Sequence, residues 1–84
     1  MDRQIVADLV RQLESHLPDV RERIYRSLGD ANFQDMCSEY KVCTQCLYRW
    51  SRSPDQHVKR IEEYTELITD LRQEILHYLQ EHQG

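Results

Sequence analysis

Two apolar stripes at helical spacing, separated by a short breaker segment, constrain this chain more than any other feature. Phe33, Met36, Tyr40, Cys43, Leu47 and Trp50 recur at steps of three and four, and Ile61, Tyr64, Ile68, Leu71, Ile75, Tyr78 and His82 do the same. That period places each set along one side of a helix. Between them lies Ser53-Pro54-Asp55-Gln56, which reads as a helix start. Ser53 is the expected N-cap, Pro54 the first helical residue and Gln56 the second half of a capping box. The pattern predicts a long antiparallel helical hairpin over about 32–52 and 54–81. A bend centred near Ser53 would set Trp50 beside His57, Leu47 beside Arg60 or Ile61, and Phe33 beside Gln73 or Ile75. Ile75-Leu76 and Tyr78-Leu79 would then project past Phe33, apolar on more than one stripe and in need of cover.

The N-terminal third supplies candidates for that cover. Ile5, Leu9, Leu13 and Leu17 make an i, i+4 ridge widened by Val6 and Val10, which predicts a helix over 3–16. Pro18 lacks an N–H and crowds the preceding turn, so it ends that helix and opens another over 18–28. Gly29 is the expected left-handed stop, and Asp30 or Asn32 the cap of the next helix. The expected fold is all-α: a single domain over 1–84, with helices in 1–29 packed on the open end of a hairpin in 30–84. A chain of 84 residues buries only ~60–65 % of the surface its unfolded form exposes. A partner subunit completing a dimeric four-helix bundle is therefore the alternative cover.

Charge narrows the partners. Basic and acidic side chains balance over residues 1–54, so the net charge of −4 falls on residues 55–84. An acidic last helix repels phosphate backbones, and no basic face with interleaved aromatics is present, so no nucleic-acid partner is expected. No apolar run approaches the ~20 residues of a membrane span. The start, Met-Asp-Arg-Gln, lacks an apolar signal region. A cytoplasmic location is expected, with the three cysteines as free thiols.

Several groupings bear on chemistry. Cys43 and Cys46 form a C-x-x-C pair with Cys37 upstream, and His57 across the turn is a conceivable fourth ligand for zinc. A redox C-x-x-C sits at a helix N-terminus, where the dipole lowers the thiol pKa, whereas this one falls mid-helix with Cys43 on the apolar stripe. Glu74 and His77 have the Glu-x-x-His spacing of di-iron bundles, but in one copy. Glu62, Glu66, Asp70 and Glu74 form an acidic ridge at i+4 spacing, which costs a helix about 0.2–0.5 kcal/mol per pair. Arg21, Arg23, Arg26, Arg49 and Arg52 make small basic patches, offset nearby by Asp19, Glu22 and Glu39.

No nucleophile–base arrangement or phosphate-binding glycine loop is present. The expectation is a non-enzymatic helical interaction or regulatory module without cofactor, binding a protein partner or a second copy of itself. Tyr25 and Tyr48, off the stripes, and the surplus apolar residues Leu67, Leu76 and Leu79 are the candidate contact residues. The competing expectation is a thiol-based metal or redox protein built on Cys37, Cys43 and Cys46.

Overall fold

A computed structural model describes residues 3–81. It contains four α-helices in chain order, α1 Arg3–Leu13, α2 Val20–Ser27, α3 Ala31–Ser51 and α4 Val58–Glu81. No strand occurs among the described residues. The long helices α3 and α4 pack on each other more extensively than any other pair. They form the expected hairpin, in a molecule measuring 45 × 22 × 18 Å. His82 and Gly84 lie outside the described residues.

The expected stripes enter the core unevenly: Met36, Leu47, Trp50, Ile61, Tyr64 and Tyr78 are only partly buried, and Cys37, off the expected stripe, is buried. Ile5, Val6, Leu9, Val10 and Leu13 of α1, Val20 and Ile24 of α2, Phe33, Cys37, Tyr40 and Cys43 of α3, and Ile68, Leu71 and Ile75 of α4 all enter the core. Leu76 and Leu79 join them, at 8 % and 0 % exposure. These two were expected at a partner interface and are instead enclosed within the chain, because α1 and α2 both pack on α4. Arg23 of α2 fixes that packing by donating from Nη1 to the Leu79 carbonyl, 2.9 Å away. It brings a cation to the C-terminal end of α4, whose own last turn has none, and complements the helix dipole there.

The connections depart from the sequence expectation in three places. First, α1 ends at Leu13 rather than residue 16, and α2 opens at Val20 rather than Pro18. Leu17, which precedes the proline and so disfavours helical geometry, is buried and accepts from the Val20 N–H at 3.0 Å. Asp19 sits at the N-cap, yet its carboxylate takes Arg23 Nε at 3.0 Å instead of a helix N–H. Second, Gly29 has no positive φ. The Leu28 carbonyl accepts from the Gln34 side chain at 2.5 Å. Third, Ser53 makes no side-chain cap, and Pro54–Gln56 is a separate 3₁₀ turn closed by Gln56 N–H to Ser53 O at 3.1 Å. The chain breaks at His57 (φ −131°, ψ 23°) before α4 begins. The capping box is therefore not formed.

That longer connection moves the register. Trp50 still lies against His57, with ring centroids 6.2 Å apart, but it also meets Tyr64 edge-on at 4.6 Å. Phe33 stacks on Tyr78 at 5.6 Å rather than lying beside Gln73 or Ile75. The pairing has slid by about one helical turn because the bend centres past Ser53. The end of α4 consequently lies level with the start of α3 and does not project beyond it. Asp30 ties the two ends together. One carboxylate oxygen caps α3 by accepting from the Asn32 and Phe33 N–H groups at 2.8 and 3.3 Å, and the other accepts from the Tyr78 hydroxyl at 2.5 Å.

Candidate functional site

The thiol set does not assemble into a site. Cys37 and Cys43 are buried and Cys46 is partly exposed, and all three are free. Burial pushes the Cys37 thiol up to about 12. Cys43 is raised as well, by burial first and then by the nearby Glu39 carboxylate and Cys46. A thiolate is the nucleophilic and metal-binding form, and burial works against its formation at Cys37 and Cys43. His57 lies against Trp50. Among the described residues no three His, Cys, Asp or Glu side chains group as a metal ion requires. Glu74 and His77 face outward, and His77 Nε2 lies 3.3 Å from the Glu81 carboxylate.

A polar network does occupy the core, and sequence reasoning missed it. The Tyr40 side chain is wholly buried, and its hydroxyl donates to Asp8 Oδ2 of α1 while accepting from Arg72 Nε of α4 at 3.1 Å. The Arg72 guanidinium also lies 5.8 Å from the Tyr40 ring centre. Burial, together with the bond to Asp8, raises the Tyr40 pKa against the opposing pull of Arg72. The three residues lie on three helices, so no local spacing signals them. Each end of the network reaches the surface, and its geometry suits holding α1 in place.

A concave feature lies in the half of the hairpin nearest the turn. A groove of about 720 Å³ runs along α3 from Lys41 to Arg52, with Gln4 and Ile5 of α1 forming its other wall. Thr44, Gln45, Tyr48 and Arg49 complete its α3 side. Three of these side chains are cationic, and none of the described lining residues is acidic. Helical spacing explains the alignment, since positions 41, 45, 48, 49 and 52 share one side of α3. Tyr48 stands 68 % exposed with the Arg52 guanidinium 5.3 Å from its ring centre.

The other expected contact residues are scattered. Tyr25 is 56 % exposed on α2, beside a second concavity that it lines with Arg3 and Arg21. Leu67 is 38 % exposed on α4, on the side that carries the ridge Glu62, Glu66, Asp70 and Glu74, all four exposed. Among the basic residues, Arg23 and Arg26 are paired with Asp19 and Glu22, as their sequence proximity suggested. No helix of the described residues is long and apolar enough to cross a membrane. Comparison with known proteins returns no matching family model, curated protein or solved structure.

Proposed function

We propose that this chain is a non-enzymatic helix–helix interaction module of the cytoplasm, and that its contact surface is the groove side of α3 centred on Tyr48. The observation that carries the reading is the exposed Tyr48–Arg52 pair lying along a groove in a chain whose core is already filled by its own four helices. Tyr and Arg dominate binding hot spots because each offers a large, rigid contact area with polar capacity at its edge. Val42, 56 % exposed on the same helix, adds apolar surface nearby. Free thiols suit a reducing compartment, and the acidic outer side of α4 suits a protein partner better than a phosphate backbone.

Site-specific photo-cross-linking tests the reading. A photoreactive residue in place of Tyr48, installed in cells that make the protein, should yield a discrete covalent adduct. The same group at Gln80, exposed on α4, should not. Absence of any adduct from position 48 above the Gln80 control would overturn the reading.

A further inference from the structure

On the premise that the chain is a helix–helix interaction module, we infer that the groove on α3 receives the acidic ridge of α4 from a second copy of this chain. The complementarity is one of charge, spacing and length. The groove presents Arg49 and Arg52, with Lys41 at its far end and the Gln45 amide between. The ridge presents Glu62, Glu66, Asp70 and Glu74 at consecutive i+4 positions, all exposed.

From position 41 to 52 the groove spans about 16 Å, and from 62 to 74 the ridge spans about 18 Å, at 1.5 Å rise per residue. Both sets advance by about one helical turn per side chain, so one ridge laid along one groove meets a cation or an amide at each step. Within a single chain the two cannot meet. The ridge lies on the exposed side of α4, away from the buried Ile68, Leu71 and Ile75.

Groove and ridge lie on opposite sides of the hairpin, so the contact joins copies head to tail, each copy giving its ridge to one neighbour and its groove to another. Like charges four residues apart destabilise the α4 helix, and the second copy's cations relieve that repulsion. Tyr48, at the groove's centre, supplies the apolar contact area that charges alone lack.

Charge exchange decides the matter. Arg49→Glu with Arg52→Glu makes the groove acidic, and Glu66→Lys with Asp70→Lys makes the ridge basic. All four positions are exposed, so circular dichroism should show both variants folded. If either loses helicity, Gln45→Glu with Arg49→Glu and Glu62→Lys with Glu66→Lys replace them. In sedimentation velocity at rising concentration the wild type should self-associate. Each variant alone should self-associate at least tenfold more weakly, and an equimolar mixture of the two should recover the association. In the mixture an acidic groove meets a basic ridge and a basic groove meets an acidic one.

A wild type that stays monomeric up to about 200 μM, or a mixture that recovers nothing, would overturn the pairing. The cross-link at position 48 separates this failure from that of the premise. An adduct of twice the chain mass supports the second copy. An adduct with a different protein keeps the interaction module and removes self-pairing, and no adduct removes both.

Discussion

Tyr40 lies wholly out of water while its hydroxyl serves Asp8 and Arg72 on two other helices. A buried polar group loses its hydration and must find partners inside. Here the partners are charged, which makes their bonds stronger than neutral ones. Tyr40→Phe keeps the ring but leaves Asp8 and Arg72 without their shared contact, and should cost about 1–3 kcal/mol. Urea unfolding of the two proteins measures it, and equal midpoints would show that the network contributes nothing.

Cys37 sets a second expectation, in pH. Its folded pKa of about 12 lies above the ordinary 9.0. Below pH 9 the thiol is neutral in both states, and its contribution is complete. Between about 9 and 12 the unfolded chain deprotonates first, so stability falls as pH rises. The raised pKa of Tyr40 acts in the same direction above its ordinary value of 10. Urea midpoints taken from pH 8 to 10.5 should fall, and fall less steeply for Cys37→Ala. Parallel curves would contradict the assignment. Tyr40's place on the apolar stripe was readable, but its partners Asp8 and Arg72 were not, being far apart in sequence, nor was the burial of Cys37, which lies off the stripe.

Among the elements, the stripes were legible because a 3.6-residue period leaves few ways to hide apolar side chains. Phe33, Tyr40, Ile68, Leu71 and Ile75 are buried where that period puts them. Leu71→Ala should therefore destabilise by about 2–5 kcal/mol, a large part of the roughly 4–13 kcal/mol available to a chain of this length. Thermal unfolding reads it directly, and an unchanged Tm would place Leu71 outside the core.

The ends of elements were less legible, for local reasons. Ser53, Pro54 and Gln56 satisfy the composition of a capping box, but the same residues close a 3₁₀ turn, and only the tertiary register decides between them. Gly29 sits just past α2 where left-handed glycines are common, yet its φ is not positive and a Cβ there would meet nothing within 4 Å. Gly29→Ala should then stabilise the protein by about 0.4–1 kcal/mol, by reducing the freedom of the unfolded chain. A lower Tm would mean the backbone at position 29 needs glycine after all.

At the scale of the whole molecule, packing is uneven along the hairpin. Buried side chains on α3 stop at Cys43 and on α4 begin at Ile68, so residues 44–67 contain none. Near the turn the two helices are joined by the half-buried Leu47, Trp50 and Tyr64, with Arg60 lying 5.6 Å from the Trp50 ring centre. Segments with few buried apolar contacts open at lower free energy than the rest of a fold. The proposed groove lies in this thinner half, so a bound helix would add the packing that the chain does not supply there, and ordering would accompany association.

The single tryptophan of the sequence makes the inequality measurable, because Trp50 reports on the turn end alone while far-ultraviolet circular dichroism reports on all four helices. In a urea titration of the monomer, Trp50 fluorescence should change at lower denaturant than helicity does. Amide exchange should likewise be faster across 44–66 than across 33–43 and 68–79. Occupation of the groove should bring the two transitions together. Coincident transitions in the free protein, with uniform exchange along α3 and α4, would mean that the aromatic contacts at the turn bind this half into one cooperative unit.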